Sequence, residues 1–324
     1  MTVLELIEEA ARRLDAAGVA FGHGTGNAFD EAAWLVLWRL GLPLSSALEG
    51  EDGVGSRPVT PDQQTQVEAL VTQRIATRRP AAYLTREAWL QGVPFYVDER
   101  AIVPRSFIAE LLADGTIDPW LSEPSAVPGR PKQASAPSGG SEAHEVASVG
   151  AQSLRVLDLC TGNGSLAVLA AMAYPEVSVV GADISPDALA VARINVDKHQ
   201  LGKRIALIES DGLQAVEGRF DLILCNPPYV NAESMAALPA EYQAEPALAL
   251  AGGADGMDFV RALLRDAPAR MNPQAVLVLE IGHERAHFEA AFPQLEVVWL
   301  STSAGDDQVL LATREALATL PSQP

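Results

Sequence analysis

Apolar residues recur with helical spacing in three segments at the start of the chain. These segments cover residues 4–17, 28–40 and 61–77, and the third has Pro61 near its beginning, where the first turn of a helix tolerates proline. The spacing predicts three amphipathic helices that bury their apolar faces against one another. We therefore expect a small helical domain over residues 1–80.

The pattern changes to the alternation typical of strands after this region. The stretch WLQGVPFYVDERAIVP predicts a β-hairpin, with its turn around Asp98 to Arg100, and residues 81–120 are expected to form this hairpin and a connector. Residues 121–153 are rich in Ser, Pro, Gly and Ala and poor in large apolar residues. Such a segment buries too little apolar surface to offset its ordering entropy, which predicts a flexible linker or insertion.

Runs of Val, Leu and Ile alternate with amphipathic helical patterns over residues 154–318. The runs LRVLDLC, VSVVGADI, FDLILC and AVLVLEIG are continuous rather than alternating, as expected for strands covered on both faces. This order predicts an α/β domain with a Rossmann-like, mainly parallel sheet. The final runs, LEVVWLS and QVLLATR, are joined by a connection too short for a parallel crossover, so we expect the last strand to be antiparallel.

The charge of the chain limits its possible partners. The formal net charge is −19 and the sequence pI is about 4.6, which disfavours a nucleic-acid backbone and favours a basic protein. The apolar runs are shorter than the roughly 20 residues that cross a bilayer, and the charged N-terminal helix does not resemble a signal peptide. We expect a cytoplasmic protein. With only two cysteines, a disulfide framework or a cysteine-rich zinc site is not expected.

A glycine-rich turn between a strand and a helix is the first candidate site. In DLCTGNGSLA, Gly162 and Gly164 fit the pattern G-x-G-x-x-A, and Asp183 ends the next strand, where a carboxylate can accept hydrogen bonds from ribose. This pattern serves a nicotinamide dinucleotide or S-adenosylmethionine equally well. Asp158 places negative charge before the turn, which favours the cationic sulfonium. Asp211, after the third strand, is a candidate acceptor for the adenine amino group.

The sequence GHERAH is the second candidate, because His283, Glu284 and His287 fit the zinc motif H-E-x-x-H. No clear third ligand follows, and the helix is not expected to have begun at His283. We therefore interpret these residues as solvent-facing histidines and predict no metal.

The stretch LCNPPYV is the third candidate and follows the fourth strand of the predicted sheet. Pro227 and Pro228 lack N–H groups, so the backbone there offers carbonyl acceptors without competing donors. Asn226 adds a side-chain oxygen, and Tyr229 adds a flat ring. Asn226 and Pro227 could each accept one hydrogen of a planar substrate nitrogen and hold it toward a methyl donor. Orientation is the main requirement of such an in-line transfer.

The motifs DLCTGNG, GADIS, ESDG and NPPY, in this order, resemble class I S-adenosylmethionine-dependent methyltransferases that modify planar nitrogens. Two branches share NPPY, the DNA adenine-N6 enzymes and the protein glutamine-N5 enzymes. The upstream VDERAIVPRS and the downstream EYQAEPALALAGGADGMDFVRALL are similar to the glutamine branch, especially to the enzymes that act on ribosomal protein L-three. The chain departs from the expected glycine loop at Asn163 and Ser165.

The resemblance implies S-adenosylmethionine as cofactor and the large-subunit ribosomal protein L-three as partner, recognised by the helical domain. It implies that Asn226, Pro227 and Tyr229 hold the glutamine. Release factors are the alternative substrate, and adenine in nucleic acid fits the charge less well. A nicotinamide dehydrogenase would leave NPPY without a task, and a non-catalytic binding protein would not account for the intact motif. The implied cofactor residues are Asp158, Gly162, Gly164, Asp183, Asp211 and Asn226.

Overall fold

The computed structural model describes residues 1–121 and 154–320, so the predicted linker falls almost wholly outside the described residues. The first region contains the helices α1 (Val3–Ala16), α2 (Ala28–Arg39) and α3 (Pro61–Thr77). Each begins after a polar N-cap whose side chain accepts a backbone N–H, which satisfies one of the free donors of the first turn. The bounds match the three segments that the apolar spacing predicts.

The hairpin lies earlier in the chain than the sequence analysis placed it. After the short helix α4 (Ala81–Thr85), strands β1 (Ala88–Leu90) and β2 (Val93–Phe95) pair antiparallel. Their turn is formed by Gln91 and Gly92, whose φ angles of 49° and 72° are both left-handed, as tight hairpins require. The predicted turn at Asp98 to Arg100 was wrong. The Asp98 carboxylate instead accepts three hydrogen bonds from Arg100, one from its N–H at 3.2 Å and two from its guanidinium at 2.9 and 2.7 Å.

The second region is an α/β domain built on a seven-stranded sheet. It is preceded by α5 (Ile108–Ala113) and a 3-10 turn at Asp118–Trp120. Its strands are β3 (Arg155–Leu159), β4 (Ser178–Asp183), β5 (Ile205–Glu209), β6 (Phe220–Cys225), β7 (Met271–Glu280), β8 (Val298–Thr302) and β9 (Gly305–Thr313). Its helices are α6 (Ser165–Ala173), α7 (Pro186–Lys198), α8 (Ala232–Ala237), α9 (Ala240–Gln243), α10 (Asp258–Asp266), α11 (Arg285–Ala291) and α12 (Arg314–Leu317).

The strand order is β5-β4-β3-β6-β7-β9-β8. Strands β5 to β7 in this order are parallel, whereas β9 is antiparallel to both of its neighbours, which confirms the prediction of a mainly parallel sheet with an antiparallel end. The chain proceeds outward in one direction from β3 and in the other from β6. Leu159 and Cys225 pair where these two strands end, so the loops after them face a common crevice. Ligands of doubly wound sheets bind at such a switch point.

The hairpin and connector, residues 81–120, contribute to both hydrophobic cores. Phe95 and Ile108 pack with one face of the large sheet, whereas Tyr83, Val97 and Val103 pack with the N-terminal helices. The connector is therefore attached to each region by buried side chains. Within residues 1–121 and 154–320, no helix combines the length and the apolar character needed to cross a bilayer.

Candidate active site

The loop between β3 and α6 holds a carboxylate at the switch point. The N–H of Gly162 donates to Asp183 Oδ2 at 2.8 Å, and the N–H of Ser185 donates to Asp183 Oδ1 at 2.9 Å. Burial raises the pKa of Asp183 above its ordinary value, against the opposing effect of these bonds. Each carboxylate oxygen retains accepting capacity for a further donor.

Asp158 and Gly164 lie behind this loop rather than on the wall of the adjoining cavity. Asp158 accepts hydrogen bonds from the Thr161 hydroxyl and from the N–H of Ala167, and so fixes the loop to the start of α6. Burial raises its pKa to about 7, and its Oδ1 has no hydrogen-bond partner among the described residues. Gly164 has φ +79°, and a Cβ there would lie 3.0 Å from the Cβ of Ala192, so its role is close packing of α6 against α7.

A cavity of about 730 Å³ opens at the carboxyl ends of the parallel strands, and we call it the sheet cavity. Its wall brings together several residues that the sequence analysis selected, which are Gly162, Asp183, Asp211, Asn226 and Pro228. The wall also contains residues without a recognised signal, among them Ile184, Leu248 and Phe259. Ile184 and Leu248 are exposed, at 46% and 58%, although both are large and apolar. Apolar walls with a few polar groups are typical of small-molecule sites.

A second cavity, of about 970 Å³, lies between the helical region and the sheet, and we call it the interdomain cavity. Asn226, Pro227 and Tyr229 line it, and Asn226 therefore borders both cavities. In the described parts of the chain, the Asn226 side chain and the Pro227 carbonyl accept no hydrogen bond. Pairing resumes just beyond, where the N–H of Val230 donates to the Leu250 carbonyl at 2.8 Å. The motif thus presents unused acceptors where the two cavities meet.

Three glycines enclose Tyr229. An added Cβ at Gly252 would lie 2.7 Å from Tyr229 Cα, one at Gly256 would lie 2.2 Å from its carbonyl oxygen, and one at Gly282 would lie 2.5 Å from its ring. These separations are far below van der Waals contact, so any side chain at these positions would displace the tyrosine. Burial raises the pKa of Tyr229 above its ordinary value, so its hydroxyl stays protonated at neutral pH.

The other walls of the interdomain cavity come from distant parts of the chain. Tyr242 belongs to α9, and Glu280 ends β7. Glu280 is buried and accepts from the Ser106 hydroxyl at 2.6 Å and from the N–H of Phe107 at 2.9 Å. Burial raises its pKa to about 7. The segment between α1 and α2 supplies Gly22, Gly24, Thr25 and Gly26.

Known proteins are similar in sequence to this chain over nearly its whole length. Residues 145–248 match the family model of the methyltransferase small domain. The chain is 49% identical over 319 residues to the ribosomal protein uL3 glutamine methyltransferase of Bordetella pertussis, covering 98% of this chain and 97% of that protein. The protein of the same name from Neisseria gonorrhoeae is 44% identical over 316 residues, with 98% and 95% covered. The chain belongs to this glutamine methyltransferase family. Methyltransferases of this class take their methyl group from S-adenosylmethionine.

The sheet cavity of the methyltransferase fits that cofactor. Gly162 lets a ligand approach the backbone, Asp183 and Asp211 provide acceptors for hydroxyl and amino groups, and Ile184 and Phe259 provide apolar surface for a planar base. The carboxylates also suit a positively charged ligand. The wall therefore combines the groups that a nucleoside with a cationic sulfonium requires.

One departure from the expected glycine loop has a structural role in the methyltransferase. Asn163 Nδ2 donates to the Ile102 carbonyl at 2.8 Å, and Asn163 Oδ1 accepts from the N–H of Ser165. Ile102 lines both cavities. Asn163 thus ties the glycine loop to the connector at the point where the cavities adjoin, a contact between segments that no local pattern reveals.

The histidines of GHERAH do not share a helical face. Helix α11 begins at Arg285, so His283 precedes it and instead borders the interdomain cavity. Glu284 accepts from Asn231 Nδ2 at 2.7 Å and lies 2.5 Å from His287 Nδ1. Within the described ranges, no group of three or more His, Cys, Asp or Glu side chains is arranged to hold a metal ion.

Proposed function

We propose that this enzyme transfers a methyl group from S-adenosylmethionine to the side-chain nitrogen of a glutamine in ribosomal protein uL3, in the cytoplasm. The observation that carries the proposal is the position of Asn226. It borders the sheet cavity on one side and the interdomain cavity on the other, with its amide unpaired among the described residues. A cofactor and a protein side chain that enter from opposite sides would meet at this residue.

On the cofactor side, Gly162, Asp183 and Asp211 would contact the ligand, with Asn226 at the reacting end. Asp158 and Gly164 would act indirectly, by holding the loop and by allowing α6 to approach α7. When bound, the cofactor supplies an electrophilic methyl group on a sulfonium.

On the substrate side, Asn226 Oδ1 and the Pro227 carbonyl would each accept one N–H of the glutamine amide, and Tyr229 would pack against its plane. The amide nitrogen is a weak nucleophile because its lone pair is delocalised. Acceptors on its two hydrogens orient the nitrogen and stabilise the positive charge that develops as the new N–C bond forms. One of the two protons then leaves to solvent. Tyr229, which stays protonated, holds the amide and does not act as a base.

The identity of the protein substrate is supported by the relatives and by charge. The relatives at 44–49% identity over nearly full length carry the name ribosomal protein uL3 glutamine methyltransferase. A net charge of −19 favours encounter with a basic protein. It disfavours direct recognition of a nucleic-acid backbone.

The proposal is tested by incubating the enzyme and labelled S-adenosylmethionine with each candidate substrate in a separate reaction. The candidates are uL3, a peptide release factor and duplex DNA. We expect label on a glutamine of uL3. Label that appears only on the release factor, or only on DNA, would contradict the assignment of the substrate.

The variant Asn226→Ala tests the assigned role of the amide. We expect kcat to fall about 100-fold to 1,000-fold, as when one preorganised polar contact to developing charge is lost, while cofactor affinity by calorimetry stays nearly unchanged. Asn272→Ala is the matched control, because Asn272 Nδ2 donates to Asp221 at the amino ends of β6 and β7, away from the carboxyl ends that border the cavities. A loss of cofactor affinity as large as the loss of kcat in Asn226→Ala would contradict the assignment of this side chain to the substrate.

A further inference from the structure

The FGHGTGN loop, Phe21–Asn27, joins α1 to α2 and forms a wall of the interdomain cavity. Four of its residues reach the cavity, and three of these are glycines, so most of this wall is bare backbone. Gly22 and Gly24 have φ angles of 126° and 99°, which residues with a Cβ rarely adopt. The composition of the loop therefore serves a specific backbone path beside the NPPY motif.

The backbone donors of this loop are largely unused. The N–H of Gly22 donates to the Thr25 carbonyl at 2.9 Å and closes the turn. Gly24, Thr25 and Gly26 also line the cavity, and their amides donate to no group in residues 1–121 or 154–320. Successive unpaired N–H groups on a concave surface form a site for carbonyl or carboxylate oxygens.

The loop is held firmly against the catalytic domain. His23 is 2% exposed, and its ring lies 4.3 Å from the ring of Tyr242, with Nε2 3.4 Å from Glu245 Oε2. Gly22 also lies against Tyr242, because a Cβ there would be 2.2 Å from the tyrosine hydroxyl. The His23 side chain thus anchors the loop, while the glycines of the loop expose their backbone to the cavity.

Arg74 fixes both ends of the loop. Its buried guanidinium donates to the Ala20 carbonyl at 3.1 Å, just before the loop, and to Glu31 at 2.8 Å, in the first turn of α2 that follows the loop. The same group lies 3.4 Å from Glu241 in the segment that carries Tyr242. A loop held at both ends presents its free amides in a fixed arrangement, which lowers the entropic cost of binding.

The interdomain cavity is larger than one amide side chain requires. Its volume of about 970 Å³ lies at the upper end of the roughly 300 to 1,000 Å³ found for sites that enclose whole drug-sized ligands. A single glutamine side chain at NPPY would leave most of this space free. The remaining space suits the residues that flank the glutamine in a protein chain.

We infer that the FGHGTGN loop is the recognition element for the main chain of the protein substrate beside the target glutamine. The amides of Gly24, Thr25 and Gly26 donate to backbone carbonyls of a short segment that enters the interdomain cavity. The substrate class is thus an exposed loop of a folded protein, read through its backbone as well as through its glutamine. This inference rests on the proposed function.

Gly26 offers a direct test, because it lines the cavity, has an ordinary φ, and has no atom within 4 Å of an added Cβ. The variant Gly26→Trp should therefore fold normally and obstruct the cavity. We expect kcat/KM for uL3 to fall about 100-fold, with most of the effect in KM, because the flanking segment is displaced. Gly26→Ala should give a smaller loss in the same direction. Cofactor affinity by calorimetry and Tm should remain those of the wild type.

Gly202→Trp is the matched control. Gly202 is exposed, has an ordinary φ, and precedes β5 at the edge of the sheet opposite the cavities. It should retain wild-type kcat/KM. Wild-type kcat/KM in Gly26→Trp would overturn the inference while leaving the proposed function intact. A loss matched by equal losses of Tm or cofactor affinity would overturn it as well. Failure of the wild-type enzyme to label uL3 would instead contradict the proposed function.

Discussion

The two cavities that meet at Asn226 are built in different ways. The sheet cavity is formed largely by loops that follow β3, β4, β5 and β6, so its key residues stand at fixed places relative to strands. The interdomain cavity combines the loop between α1 and α2 with the connector, α9 and the ends of β6 and β7. The connector residues Arg100, Ala101 and Ile102 complete the wall of the sheet cavity, which contains no residue of the N-terminal helices. The interdomain cavity, in contrast, exists only while the helical region is docked against the sheet.

In the proposed function, this difference separates the cavity that binds the cofactor from the cavity that selects the substrate. Perturbing the docking of the helical domain should disable the interdomain cavity and spare the sheet cavity. Perturbing the glycine loop of the sheet should do the reverse. A variant that damages both equally would show that the cavities are one cooperative unit.

The largest effect is expected from Arg74→Met, which removes the buried cation between the domains. Glu31 would lose its buried cation, whereas Glu241 would keep its pair with Arg78, and breaking a buried ion pair costs about 3 to 5 kcal/mol. Urea unfolding should show this loss, and methylation of uL3 should fall, while cofactor affinity per folded molecule is retained. Arg12→Met is the control, because its pair with Glu9 is solvent-exposed and should contribute little. A loss of cofactor affinity parallel to the loss of activity would show that the two cavities are not independent.

The next effect concerns Tyr229 and the glycines that enclose it. In Gly282→Ala the new Cβ would lie 2.5 Å from the tyrosine ring, so the ring must move. We expect about a 100-fold fall in kcat, because a displacement of about 1 Å can cost this much. Gly92→Ala controls for backbone strain, since Gly92 also has a positive φ but no atom within 4 Å of an added Cβ. Activity that falls equally in both variants would point to strain rather than to Tyr229.

The same contrast explains what the sequence could predict. The sequence placed Gly162, Asp183, Asp211 and Asn226 together because each stands at or just after the end of a strand, and parallel strands bring their carboxyl ends together. The FGHGTGN loop was missed because it lies beside Asn226 only through the packing of segments that are far apart in the sequence. Such packing leaves no local pattern. The hairpin turn was misplaced because glutamine is an unusual residue for a left-handed position.

Asp158 illustrates a finer limit. It was expected to contact the cofactor, but it lies one residue inside β3, where side chains alternate between faces of the sheet. Its carboxylate therefore points under α6 and binds the loop from behind. The sequence locates a residue relative to the end of a strand only to within one residue. A shift of one residue moves the side chain to the other face of the sheet.

A smaller effect, on the sheet cavity alone, is expected from Asp183→Asn. An amide retains one acceptor and cannot accept from Gly162, Ser185 and a ribose as a carboxylate does. We expect cofactor affinity to fall about tenfold, in line with the loss of a charge-assisted hydrogen bond. At saturating cofactor, KM for uL3 should be unchanged. Asp221→Asn is the control, since Asp221 accepts two comparable bonds at the amino end of β6, away from the carboxyl ends of the strands. A raised KM for uL3 would contradict the separation of cofactor binding from substrate binding.

The smallest expected effect is a dependence of the free energy of unfolding on pH. One buried carboxyl group beside each cavity should contribute to it. Burial raises the pKa of both Asp158 and Glu280 to about 7, above their unfolded values. The folded state therefore holds more protons, so the free energy of unfolding should fall as pH rises from about 5 to 7, by at most about 1.4 kcal/mol per unit for each group. Glu280→Gln should flatten this slope by the share of one group, measured by urea unfolding across that range. Because Glu280 binds Ser106 and Phe107 of the connector, an unchanged slope would mean that the docked connector keeps this carboxyl ionised.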